Sequence, residues 1–227
     1  ELRPDRIALY AYAHLPERFK PQRRIVVVDL PGAANKVAML ARALAAFDAA
    51  GYDYIGMDHF ALPDDALAVA KRQGRLHRNF QGYSTQPDCD LIGLGVSAIG
   101  KIGATYSQNA KSLEDYQDLL DQGHLPVVRG LAVSRDDLLR RAVIMALMCQ
   151  GEVLYESIEL SHLINFREYF ASELQALRGM QEQGLVRLTD TGIEVTSMGW
   201  FFVRGVAMVF DKYLQADRTR ARFSKII

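Results

Sequence analysis

The sequence predicts a mixed α/β fold that changes character near Ser134, on three observations. Strand-like runs alternate with helix-periodic runs across residues 1–133. The remainder is helix-periodic except for one alternating run. A chain of 227 residues that is 49% hydrophobic can fill a sizeable core. Strands alternating with helices imply a parallel α/β arrangement, and helices followed by a β-hairpin imply a winged-helix-like module. The expected division is therefore 1–133 and 134–227.

In order along the chain, "RIALYAYA" from Arg6 reads as a strand. "AANKVAMLARALAAFDAAGY" from Ala33 carries apolar residues at helical spacing and stops at Gly51. "DYIGMDHFA" is extended, and "PDDALAVAKRQG" is a short helix opened by Pro63, Asp64 and Asp65 and closed by Gly74. "NFQGYS" and "DLIGLGVSAIG" read as two further extended runs, and "SLEDYQDLLDQG" as an amphipathic helix. Ser134 can cap "RDDLLRRAVIMALMCQG", with Asp136 and Asp137 in the first turn, where the helix dipole favours them. "SIELSHLIN" and "FREYFASELQALRGMQEQG" continue as helices. "LVRLTDTGIEVT" alternates like a hairpin around Thr191-Gly192, and "MGWFFVRGVAMVFDKYLQ" returns to helix.

Composition narrows the partners. Lys+Arg and Asp+Glu both number 27, so no global charge draws the chain to nucleic acid or an anionic membrane. Arg140, Arg141, Arg167 and Arg178 could suggest a DNA-binding face, but Asp136, Asp137, Glu168 and Glu173 are interleaved with them. No apolar run approaches the roughly 20 residues of a membrane span, and the first residues lack a signal-peptide pattern. The two cysteines, Cys89 and Cys149, form no CxxC pair, and free thiols suit a reducing cytoplasm. The chain opens without Met and almost directly into a strand, so a fragment is expected.

Several stretches carry chemistry. "GLGVSA" (Gly93, Gly95, Ala98) fits a dinucleotide fingerprint, with Glu114 and Asp115 about 20 residues on. It runs into Gly100 and Gly103 where the motif must open a helix, which argues against it. "GVSAIGKI" resembles a P-loop but has Ile102 where a hydroxyl must hold Mg²⁺. The glycines then point to close backbone approach, by a ligand or a neighbouring element. Phe80, Gln81 and Tyr83 add flat faces and an amide suited to a planar, heteroatom-rich ligand, or equally a tight turn beside core aromatics. The five histidines show no metal-binding spacing, so no metal ligand set is expected within the chain. Asp58-His59 is expected to be structural, since neighbours in a strand face opposite ways. His77-Arg78 could contact carboxylates or phosphates, or form a solvated loop edge.

The runs "YAHLP" (Tyr12 to Pro16), "GMDHFA" (Gly56 to Ala61), "HRNFQGY" (His77 to Tyr83), "GLGVSAI" (Gly93 to Ile99) and "FSKII" (Phe223 to Ile227) resemble the oxygen-independent coproporphyrinogen III oxidases, radical-SAM enzymes of haem biosynthesis. The resemblance covers the whole chain, and "HRNFQGY" is its most specific run. Ser84 stands where the family usually has Thr, and Ala66 where it has an acidic residue. The family's CxxxCxC motif, which holds its [4Fe–4S] cluster, is absent, so the cluster ligands lie outside this chain.

The resemblance implies the C-terminal part of a radical-SAM (β/α) partial barrel followed by a mainly helical domain. It implies an oxidoreductase in the full-length protein and no catalysis by this fragment alone. The implied reaction turns two propionate side chains of coproporphyrinogen III into vinyl groups, giving protoporphyrinogen IX. A reduced cluster cleaves S-adenosylmethionine, and the resulting 5′-deoxyadenosyl radical takes a propionate hydrogen before CO₂ leaves. Two S-adenosylmethionine molecules would bind, with Ala13 and Ile99 lining a cofactor site and Phe80 and Gln81 serving catalysis near the second cofactor or the substrate. Ala13 and Ile99 are expected near the C-terminal ends of strands, where barrel enzymes gather their sites. External electron donors and acceptors, a monomeric full-length protein, a cytoplasmic location, and neither nucleic acid nor membrane complete the expectation. The competing readings are a haem-chaperone-like relative and a winged-helix DNA-binding module.

Overall fold

The structure, a computed structural model, describes residues 2–216; the closing "FSKII" run lies outside the described residues. Its mixed α/β composition matches the sequence reading, but the strand pairing does not: every pair among the described residues is antiparallel. For three of these pairs the reason is local. Residues 57–58, 80–81 and 103–104 are two-residue links, which close hairpins, whereas parallel neighbours need a long crossover.

The first sheet holds β1 (Arg6–Ala8), β2 (Asp53–Gly56) and β3 (His59–Ala61), with β3 in the middle. Between β1 and β2 runs α1 (Ala33–Ala49), which ends as expected, with Gly51 at φ +79°. Next, α2 (Ala66–Arg72) is capped by Asp65, whose carboxylate accepts from the Leu67 amide at 2.8 Å and pairs with Arg6 Nε at 2.7 Å. The run read as one extended segment at "NFQGYS" is a hairpin, β4 (His77–Asn79) and β5 (Gly82–Ser84). "DLIGLGVSAIG" is mostly a loop, entered by a lone bridge between Leu91 and Lys101 and left through β6 (Ile99–Ile102). Two unanticipated strands, β7 (Thr105–Asn109) and β8 (Val127–Ala132), flank α3 (Leu113–Asp121) and complete the sheet β6-β7-β8.

The second half begins with α4 (Arg135–Gln150), closed at its start by a reciprocal Ser134–Asp137 capping box. There follow β9 (Glu152–Leu154), α5 (Tyr155–His162), α6 (Phe166–Tyr169) and α7 (Ala171–Glu182). The hairpin β10 (Val186–Leu188) and β11 (Gly192–Val195) forms where expected, and β11 also pairs with β9. The last expected helix is instead three pieces: α8 (Ser197–Trp200), α9 (Val203–Met208) and α10 (Lys212–Ala216). A β-carbon on Gly199 would lie 1.8 Å from the Leu185 carbonyl oxygen, so this backbone is pinned to the approach of β10 and the helix breaks after one turn.

One apolar core crosses residue 134. Ile55, Ala61, Leu67 and Leu76 join Leu139, Val143, Leu147, Phe166, Phe170, Leu177, Ile193 and Phe210 in a single cluster around α4. The interleaved charges satisfy one another: Arg140 pairs with Asp136 and Glu173, Arg141 with Asp88, Arg167 with Asp190, and Lys212 with Asp136 and Asp137. No helix of the described residues is long and apolar enough to cross a membrane.

Candidate functional site

"GMDHFA" and "HRNFQGY", 27 residues apart at Gly56 and Tyr83, interlock in space. Gly56 has φ +151°, and a β-carbon there would lie 2.5 Å from Tyr83 Oη. Glycine is therefore required twice, for conformation and for room. The Tyr83 hydroxyl donates to the Met148 carbonyl at 2.9 Å, fastening the β4–β5 hairpin to the end of α4. Burial pushes the Tyr83 hydroxyl well above its ordinary range, so it stays a donor. His59 lies edge-on to Tyr83 and Tyr10, with ring centroids at 5.5 and 6.3 Å. Gly82, at φ +139°, lets the hairpin approach His59, whose Nε2 would be 3.4 Å from any β-carbon there. Burial lowers the His59 pKa, opposed by Asp58, so the imidazole is neutral at neutral pH. Burial also raises the Asp58 pKa, against the pull of His59, Arg204 and Arg78. Asp58 sits in the β2–β3 turn and not beside His59 within a strand, which corrects the premise of the sequence reading, and no hydrogen bond joins the two side chains.

Phe80 and Gln81 form the tip of this hairpin. Asn79 closes the turn: its Oδ1 accepts from the Gln81 amide nitrogen at 2.8 Å, an Asx turn. The Gln81 carboxamide makes no hydrogen bond to any described residue, and it is exposed. Phe80 is 46% exposed, so it is not the core aromatic that its neighbours suggested.

Ile99 and Ala13 lie on other elements. Ile99 opens β6 and so stands at the start of its strand, which corrects the strand-end expectation. Its loop is held by Asn109, a buried polar residue missed in the sequence, whose amide donates to the Gly93 and Gly95 carbonyls at 3.1 and 3.0 Å. A β-carbon on Gly93 would lie 2.6 Å from the Ile99 carbonyl oxygen, whereas Gly95, at φ +101°, has open space. Close approach is thus filled by the protein at one glycine and open at the other. Ala13 follows β1 by five residues, and its carbonyl accepts from Gln22 Nε2 at 3.1 Å. No hydrogen bond or strand pairing among the described residues joins Ala13, Ile99 and the Phe80-Gln81 tip. Asp88 ties the glycine loop to α4, contacting both Lys101 and Arg141.

The described residues do not fit an iron–sulfur cluster. Among the described residues no group of three or more His, Cys, Asp or Glu converges on a point. Cys89 is exposed, and Cys149 is buried with its thiol pushed up to about 12 by burial, the reverse of a ready thiolate ligand.

Residues 133–202 match the family model of the HemN C-terminal domain. The chain is 53% identical over 226 residues to the oxygen-independent coproporphyrinogen III oxidase of Pseudomonas aeruginosa, covering 100% of this chain and 49% of that protein. It is 45% identical to the protein of that name from Thermostichus vulcanus, covering 100% of this chain and 70% of the relative. A solved structure described as coproporphyrinogen III oxidase (HemN) from Escherichia coli, a radical SAM enzyme, superposes with a TM-score of 0.89 at 47% identity, covering 93% of this chain and 49% of that one. The chain thus spans about half the length of the Pseudomonas relative.

Proposed function

The chain belongs to the oxygen-independent coproporphyrinogen III oxidase family, and from that premise we propose that it forms the C-terminal part of such an oxidase, supplying one wall of the cofactor and substrate site. The substrate would be coproporphyrinogen III, converted to protoporphyrinogen IX by oxidative decarboxylation of two propionates. Electron donors and acceptors would come from outside. Residues 1–133 would contribute to the catalytic barrel, and residues 134 onward would be the helical, winged-helix-like domain. The order helix–strand–three helices–strand–strand, from α4 to β11, with β11 central in its sheet, supports the latter reading.

One observation carries the site assignment. Asn79 closes the hairpin, which leaves the Gln81 amide without a structural task and exposed beside an exposed aromatic ring. Gln81 would orient a bound ligand by hydrogen bonds, and Phe80 would cover one of its faces. Ala13 and Ile99 would line S-adenosylmethionine, with open backbone at Gly95 admitting it. When bound, that cofactor supplies the radical chemistry, and two molecules per full-length enzyme fit the reading. The [4Fe–4S] cluster would be held by residues outside those described here. The chaperone-like and DNA-binding readings are less favoured, because the relatives carry the oxidase name and most of the arginines that could face DNA are ion-paired.

A hybrid gene tests this proposal. This chain would replace the matching half of the Escherichia coli oxidase in cells that lack it and grow without oxygen. Restored protoporphyrin formation is expected. Accumulated coproporphyrin with normal levels of the hybrid protein would overturn the proposal.

A further inference from the structure

Arg78 is the anomaly among the partly buried arginines. Arg140 and Arg141 each meet carboxylates, whereas the Arg78 guanidinium is neither hydrogen-bonded nor ion-paired to any described residue, and its Nε is buried without a partner. It lies over the Tyr83 ring, 5.5 Å from the centroid, directly across the hairpin from Tyr83. Tyr83 is fixed by Met148, so this platform is rigid. His59, edge-on to the same ring, also buries an unpartnered atom, Nδ1. A buried guanidinium N–H and a buried imidazole nitrogen left unpaired beside one ring are costly, and both are groups that an anionic ligand can pair with. Asp58 is the charged group that acts on both His59 and Tyr83 beside Arg78.

Resting on the oxidase reading, we infer that Arg78 and His59 form a carboxylate-binding site that grips a propionate of the tetrapyrrole while the Phe80-Gln81 tip contacts the macrocycle. The α-carboxylate of S-adenosylmethionine has the same chemistry. The propionate is preferred because the exposed ring of Tyr10 stands against His59 and the exposed Phe80 is in the turn of the same hairpin, which suits a broad planar ligand. His77 and Asn79, the strand neighbours of Arg78, alternate to the other face and take no part.

Two titrations of the 227-residue chain separate this inference from the reading beneath it. Sodium propionate, added to ¹⁵N-labelled protein, is expected to shift the Arg78 Nε–Hε resonance. An unmoved resonance overturns the carboxylate site, whatever else the chain binds. Coproporphyrin III, followed by its fluorescence, is expected to bind about tenfold or more weakly to Arg78→Met. Its tetramethyl ester, lacking carboxylates, should bind the wild type and Arg78→Met equally weakly. Arg78→Lys keeps the charge over Tyr83, so it should recover part of the loss and show that the hairpin still folds. Coproporphyrin binding unaffected by Arg78→Met overturns the inference, as does a loss of S-adenosylmethionine binding in its place. A propionate shift with no coproporphyrin binding by any variant overturns the tetrapyrrole reading and leaves the carboxylate site standing.

Discussion

A methyl group added at Gly56 would meet the Tyr83 hydroxyl at 2.5 Å on a backbone held at φ +151°. Gly56→Ala is therefore expected to destabilise the fold by about 1–3 kcal/mol, the usual cost of overpacking, seen as a lower thermal midpoint. An unchanged midpoint would mean that the two runs do not interlock as described. At the hairpin tip, Asn79→Ala should also lower the midpoint by removing the side chain that closes the turn. Phe80→Ala should move stability by only about 0.5 kcal/mol, because the ring is half exposed. A Phe80→Ala loss as large as that of a core aromatic would contradict the tip geometry. The sequence alone suggested that Gln81 either bound a ligand or closed a turn. It could not decide, because the deciding group is the Asn79 side chain and its choice of partner depends on the register of β4 and β5.

Helices were the legible elements. Ser134, Asp65 and Ser112 each accept an amide at a helix start, and Gly51, Gly74 and Gly151 adopt positive φ just beyond a helix end, so capping marks the starts of α2, α3 and α4 and the ends of α1, α2 and α4. Strand partners were not legible. β7 reads "TYSQN", polar and without an apolar face, and forms because β6 turns back through Gly103-Ala104. The glycine loop depends on a contact of this long-range kind. Hydrogen bonds from Arg141, then from Lys101, hold the Asp88 carboxyl well below the usual carboxylate range. A folded-state pKa below the unfolded value gives stability that is present above about pH 3.9 and lost as pH falls through the folded value. The side chains are partly exposed, so the contribution is modest. At pH 6 the amides of Leu91 and Lys101 should exchange hydrogen more slowly in the wild type than in Asp88→Asn, and that advantage should shrink below about pH 4. Equal exchange at pH 6 would show that Asp88 does not tether the loop.

At the scale of the molecule, the family-model boundary at residue 133 and the packing do not coincide. Gln150 donates to the Leu76 carbonyl at 3.1 Å, Tyr83 donates to Met148, and Leu76 lies in the same core as Leu147. A chain beginning at Ser134 would expose that face of α4. It should unfold less cooperatively than the 227-residue chain, and a chain beginning at Tyr52 should recover most of the difference. Equal cooperativity from Ser134 onward would show that the second half makes its core alone. The same junction locks the base of the hairpin into the shared core, so Phe80 and Gln81 project from a fixed base, as the proposed ligand contact requires. The most direct test of that claim uses an oxidase whose C-terminal half is this chain, comparing wild type with Gln81→Ala. Turnover of coproporphyrinogen III per intact iron–sulfur cluster should fall by about tenfold or more, while cluster content and thermal midpoint stay at the wild-type values. Turnover at the wild-type rate in Gln81→Ala would contradict the account.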